Sequence, residues 1–317
     1  MASGSKKVIY AALIGNSLIS ITKFAAAAYT GSSAMLSEGI HSLVDTGNQG
    51  LLLHGMKKAT KPADAKHPFG YGAELYFWAF VVAILIFAVG AGVSIYEGIQ
   101  KVLHPHPVTN PFVNYIVLGL AMVFEAVAFW IALKEFTSIK GKKGYMQAVR
   151  DSKDPAMFTV LFEDGAAMAG LIVAMLGLLG AEYLNLPWLD GAASILIGVI
   201  LAGTAILLAY ETKGLLVGES ASPEMVKSIR RIVEATPTVH AMNELRTLHR
   251  GPEDVLLALS VDFEDNLTVG NVENAVYQLE VAIKNKYPIV KRLFIEVQST
   301  EHHREMFNAE HDTAPPH

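Results

Sequence analysis

Six long apolar segments, at roughly residues 8–29, 34–56, 75–98, 112–134, 156–180 and 187–210, constrain this chain more than any other feature. Each is long enough to cross a hydrocarbon core of about 30 Å as a helix. Inside a bilayer only helices and closed barrels satisfy their own backbone groups, so the segments predict an all-α six-helix transmembrane bundle over residues 1–212. Composition agrees. With 52% hydrophobic and 17% charged residues and a mean hydropathy of +0.35, the chain lacks the balance of a soluble protein. The run after Lys6 and Lys7 is too long for the apolar part of a signal peptide and has no cleavage motif, so it reads as the first span. A formal net charge of −5 argues against a nucleic-acid partner, and the lack of cysteine leaves only nitrogen and oxygen donors for any metal.

The connections between segments carry the orientation. Lys6 and Lys7 precede the first span. Lys57, Lys58, Lys61 and Lys66 follow the second, and Lys134, Lys140, Lys142, Lys143 and Arg150 follow the fourth. The intervening loops around residues 30–31, 104–110 and 182–187 carry no Lys or Arg. This alternation places both termini in the cytoplasm. No targeting segment is apparent, and the membrane expected is a bacterial inner membrane.

After Lys213 the pattern changes to that of a small soluble α+β domain over residues 213–300. Ser222, Pro223 and Glu224 form a helix start, followed by an apolar face of Met225, Val226, Ile229, Ile232 and Val233. A short strand is expected around Leu245. A second comes from the alternation of Val255, Leu257, Leu259, Val261 and Phe263, and a third from Leu293, Ile295 and Val297. Between the last two, Val269, Val272, Val276, Leu279 and Ile283 mark a helix. The order αββαβ predicts a ferredoxin-like two-layer fold. Residues 301–317 read as a polar, histidine-containing, disordered tail, where His302, His303, His311 and His317 are solvated.

The chemistry lies in the second segment. Glu38, His41, Asp45 and Asn48 are spaced by three, four and three residues, which puts them on one helix face. A charge at bilayer depth costs roughly 2.5–3.5 kcal/mol even on the lenient insertion scale, so such a stripe faces a partner or an ion pathway and not lipid. His41 and Asp45, one turn apart, can hold one cation through an imidazole nitrogen and a carboxylate oxygen. A second polar pair, Glu163 and Asp164, lies in the fifth segment. Adjacent helical residues diverge by about 100°, so one of them faces the ion, and Asp164 is the choice. Asn48, Glu163, water or a backbone carbonyl would complete the shell. Glu125 in the fourth segment is a proton carrier or a neutral packing group. Lys23 is expected to snorkel to the outer interface. Ligands that must lose protons to bind metal provide the chemistry of metal/proton antiport.

These residues resemble a known family. The run GSSAMLSEGIHSLVD at 31–45 is similar to the second helix of the cation diffusion facilitators, and HPFGYG at 67–72 to their next loop. Within the family, HSLVDTGNQ at 41–49, KDP at 153–155 and LFEDGAA at 161–167 are most similar to the zinc transporter nine branch. The resemblance covers nearly the whole chain. It implies a homodimer, joined through the C-terminal domain, that exports Zn²⁺ or sometimes Fe²⁺, Mn²⁺ or Co²⁺ from the cytosol in exchange for protons. Zn²⁺ is then a transported substrate, with no permanently bound cofactor and no enzymatic reaction. It also places His41, Asp45 and Asp164 on the transport site.

The departures from the family pattern are specific. Val160 stands where many zinc-transporting members have His. Asp64 and His67 match an accessory metal site of some bacterial members, weakened here because Tyr71 replaces a further His. Asn243, Leu259 and Glu296 stand where some members carry zinc-binding His, so a regulatory cluster is not expected. His240 and His249 read as surface or sheet residues.

An all-N/O site leaves Fe²⁺, Mn²⁺, Co²⁺ or Ni²⁺ as alternatives to zinc. A non-transporting membrane metal sensor is the competing class, but it needs no charges at bilayer depth. No phosphate-binding loop or phosphorylated-Asp motif suggests an ATP-driven pump.

Overall fold

The computed structural model describes residues 3–105, 108, 110–141 and 143–312. They divide into two compact units between Lys213 and Gly214. In the first unit, α1 (Ser3–Thr30), α2 (Ser33–Ala59), α5 (Pro111–Lys140), α7 (Pro155–Tyr183) and α8 (Trp188–Val217) are long single helices. The remaining rod runs from α3 (Glu74–Leu85) through a π-helical stretch (Ile86–Ala91) into α4 (Gly92–Leu103), and a short α6 (Tyr145–Asp151) precedes α7. The six expected segments are thus six helical rods. Four stretches are long and apolar enough to cross a membrane by length and composition among the described residues: Glu74–Leu103, Pro111–Ser138, Pro155–Tyr183 and Trp188–Val217. The polar stripe lowers the hydropathy of α2, and the first side chains of α1 fall outside the described set.

Local signals set the ends of the helices that carry the site. Gly31, at φ +69°, turns the chain sharply between α1 and α2. Ser32 then caps α2 by accepting from the Met35 amide at 3.1 Å. Asp154 caps α7 through the Ala156 amide at 3.1 Å, with Pro155 in the first turn.

The same end of α2 is tied to α8. The buried Asp190 carboxylate accepts from Ser32 Oγ at 2.6 Å, Ser33 N at 2.7 Å and Ser33 Oγ at 3.1 Å. Lys101, almost wholly buried, donates to Gly31 O at 2.8 Å and lies 3.8 Å from Asp190. This explains a cation at the end of α4 that the orientation pattern would leave lysine-free: it is consumed inside the bundle.

The second unit comprises α9 (Pro223–Glu234), β1 (Val239–Gly251), β2 (Asp254–Phe263), α10 (Val269–Lys286), β3 (Val290–Val297) and α11 (Thr300–Asp312). Strand order is β1-β2-β3, with β1 antiparallel and β3 parallel to β2. The alternating residues Val255, Leu257, Leu259, Val261 and Phe263 are all buried against Met225, Ile229, Val233, Leu279 and Ile283, as the period-two pattern requires.

The expectation of a disordered tail is corrected up to residue 312, because α11 forms there. Its start is fastened to the sheet: Thr300 N donates to Asp262 Oδ2 at 2.8 Å and Thr300 Oγ1 to Asn243 Oδ1 at 2.8 Å. His302 and His303 bond to Ser299 Oγ and Gln298 Oε1, each at 2.9 Å, and so serve the helix start. His317 and the side chain of His311 lie outside the described residues.

Candidate metal centre

The stripe on α2 is buried along its length: Glu38 and Asn48 are 0% exposed, His41 1% and Asp45 7%. His41 Nδ1 lies 3.5 Å from Asp45 Oδ1, the juxtaposition that the four-residue spacing demands. Neither nitrogen of His41 has a hydrogen-bond partner, nor does Asp45 Oδ1. A buried polar atom left unpaired costs about 1–3 kcal/mol, and nearly all such atoms in folded proteins find partners. Adjacent orphaned imidazole and carboxylate donors are therefore suited to a cation.

Facing this pair, α7 presents Glu163 to Asn48 of α2. Glu163 Oε1 accepts from Asn48 Nδ2 at 2.8 Å and is nearly fully buried, whereas Asp164 and Val160 are half-buried. One residue along a helix rotates the side chain by about 100°, and Asp164 lies within electrostatic reach of Glu125 on α5 and of Asp45 on α2. Glu163, Glu125 and Asp164 all act electrostatically on Asp45. Among the described residues, no three His, Asp or Glu side chains converge closely enough to hold an ion together. His41 and Asp45 thus lie together on α2, within electrostatic reach of the α7 carboxylates.

Lys23 corrects the sequence expectation. It is 0% exposed and does not reach an interface. Its ammonium donates to Glu38 Oε2 at 3.0 Å and to Ser42 Oγ at 2.8 Å. The reason is pairing: a carboxylate on the adjacent helix gives the ammonium a closer partner than water at the span's end. The second oxygen, Glu38 Oε1, has no partner and points at Gly170 of α7, where any side chain would collide with it. Sequence reasoning assigned nothing to Asp190, Lys101, Ser42 or Gly170. An acid in the first turn of α8, ahead of a long apolar run, is the one signal that points to the Asp190 cluster.

Asp64 and His67 do come together, with 3.6 Å between His67 Nδ1 and Asp64 Oδ1. Asp64 is nevertheless engaged as a loop staple. One oxygen accepts from the Lys66 and His67 amides at 3.0 and 2.7 Å, and the other from the Tyr71 hydroxyl at 2.7 Å. The Tyr71 hydrogen bond, with help from the backbone, holds the Asp64 carboxyl below its usual range, and Asp64 in turn raises the Tyr71 phenol.

In the second unit Leu259 is core, and Asn243 is bonded to Gln298 O at 2.8 Å. Glu296 lies opposite Ser260, and these positions gather no ligand set. His240 lies on the surface 3.6 Å from Glu264, and the buried His249 pairs with Gly251 O at 3.2 Å.

Residues 9–217 match the model of the cation efflux transmembrane domain, and residues 221–299 that of the cation efflux protein cytoplasmic domain. The chain belongs to the cation efflux family. It is 34% identical over 263 residues to the mitochondrial proton-coupled zinc antiporter of Mus musculus, which covers 82% of this chain and 46% of that protein. The metal tolerance protein C4 of Arabidopsis thaliana is 27% identical, over 84% of this chain and 59% of that one. The cation-efflux pump of Escherichia coli is 28% identical, over 86% and 85% respectively. The chain thus spans about half the length of the zinc antiporter it resembles.

Proposed function

We propose that this chain exports a divalent transition-metal ion, zinc first among them, from the cytosol by alternating access in exchange for protons. His41 and Asp45 bind the ion from α2 and Asp164 from α7, with Asn48 or Glu163 as the further donor and Glu125 as a proton carrier. The observation that carries this reading is the buried, unpartnered donor set of His41 and Asp45 opposite the α7 carboxylates. Imidazole and carboxylate bind protons and metal competitively, so a site alternately open to the two sides exchanges one for the other. The separation of the α2 and α7 groups fits a cage that closes when the ion enters and the helices shift. The name of the Mus musculus relative supports zinc and proton coupling. The donor set alone does not discriminate against Fe²⁺, Mn²⁺, Co²⁺ or Ni²⁺.

The working unit we propose is a homodimer joined through the cytoplasmic domain. Its proposed location is a bacterial inner membrane. A membrane metal sensor remains the second reading, disfavoured because sensing needs no charged stripe inside the span.

The test is flux into proteoliposomes with an imposed pH gradient, comparing Zn²⁺ with Mn²⁺, Fe²⁺ and Co²⁺. Retained Zn²⁺ transport in Asp45→Ala or Asp164→Ala refutes the ligand assignment. Flux that ignores the pH gradient refutes antiport, and the absence of flux for every ion favours the sensor.

A further inference from the structure

The ion pair between Lys23 and Glu38 has no part in the ligand set above, yet both of its side chains are 0% exposed. A cation inside a span costs roughly 2.5–3.5 kcal/mol on the insertion scale. Replacing a buried pair by apolar residues of similar volume is often neutral or stabilising. Packing alone is thus a poor reason for this pair, and its position offers a better one. Glu38 lies one turn from His41 on the face that carries Asp45 and Asn48. Lys23 also bonds to Ser42, the neighbour of His41. The charge of Lys23 acts on His41, Asp45 and Glu125 as well as on Glu38. One Glu38 oxygen stays buried without a partner, so the carboxylate is only half engaged.

We propose that Lys23 is the resident counter-cation of the transport site: carried on α1, its ammonium holds Glu38 when no metal is bound, and an entering divalent ion competes with it for the carboxylates of the α2 stripe. This rests on the reading of His41 and Asp45 as metal ligands. Without the ammonium, no fixed cation competes for Glu38 beside the ligand pair, and the metal binds more tightly and leaves more slowly. Without Glu38, the ammonium is uncompensated and repels the metal. The two single substitutions therefore move affinity in opposite directions. A pair that only packs the bundle would weaken binding in both.

The experiment measures Zn²⁺ binding to the purified full chain in detergent by competition with a chelating dye, alongside Zn²⁺ flux in proteoliposomes. Lys23→Met is expected to lower Kd about tenfold and to reduce kcat together with KM, while Glu38→Gln raises Kd about tenfold. The double variant is expected to return Kd to within about threefold of the parent, because the paired charges leave together. Weakened binding in both single variants overturns the proposal, and so does an unchanged Kd in either. If Lys23→Met does not fold, the decision falls to Glu38→Gln and the double variant: weakening followed by recovery supports the proposal, and no recovery overturns it. Asp45→Ala separates this inference from the reading beneath it. Zn²⁺ binding lost in Asp45→Ala but unchanged in Lys23→Met refutes the counter-cation alone, whereas binding retained in Asp45→Ala refutes the site itself.

Discussion

The polar centre of the membrane unit and the polar junction at the end of the cytoplasmic sheet use the same kinds of side chain to opposite ends. In the junction the groups close on one another. Asn243 donates to Gln298 O at 2.8 Å and accepts from Thr300 Oγ1 at 2.8 Å, and His303 meets Gln298 Oε1 at 2.9 Å. In the membrane centre both nitrogens of His41 and one oxygen each of Glu38, Asp45 and Asn48 are buried without a partner. Polar groups that satisfy each other hold α11 to the sheet. Polar groups left unsatisfied inside a span are costly to keep, which is the physical ground for proposing the metal site in the membrane centre and not in the histidine-bearing tail.

The largest effect that would break this comparison is at Asp45. Asp45→Ala is expected to cut Zn²⁺ transport by about 100-fold or more, since even groups that only hydrogen-bond to a metal's ligands are worth roughly 10–100-fold. Asn243→Ala is expected to leave the flux within about twofold at matched expression, because its partners are structural. Equal losses in the two proteoliposome assays would erase the distinction. Next comes the core of the cytoplasmic unit. Leu257 is fully buried, and Leu257→Ala is expected to destabilise that unit by about 2–5 kcal/mol in chemical denaturation.

Gly170→Leu sharpens the membrane side. With no room beside Glu38, the added side chain is expected to cost about 1–3 kcal/mol of stability, read as a lower thermal midpoint in detergent with reduced flux. The smallest effect is at the loop staple. Because the Asp64 carboxyl is held below its usual value, its hydrogen bonds contribute fully above the unfolded pKa of about 3.9 and are lost as pH falls through the lower, folded value. Tyr71→Phe is expected to move the Asp64 titration upward, measurable by carboxyl NMR, with little change in Zn²⁺ flux.

Much of this molecule was legible from spacing. The six apolar segments became six rods, and the 38, 41, 45 and 48 stripe became one buried face. Ser222 and Pro223 did start α9, where Ser222 accepts from the Met225 amide at 3.3 Å. Period-two alternation found the buried side of β2. Each of these follows from a repeat of 3.6 or 2 residues, which a chain carries in its own order.

Other features needed the tertiary structure, because they depend on how separate helices rotate and meet. Spacing shows that Glu163 and Asp164 diverge, but only packing against α2 turns Glu163 toward Asn48. A lysine near a span's end reads as a snorkelling side chain until a carboxylate on the next helix captures it, as Glu38 captures Lys23. Asp190 holds the start of α2 across more than 150 residues of chain, and α11 forms where a polar tail finds Asn243 and Asp262. The sequence by itself determined the six helical rods, the polar stripe on α2 and the αββαβ order, since these are local periodicities. Only the tertiary structure decided which buried charges are paired and which stay free, since pairing is a matter of distance between elements and not of position along the chain.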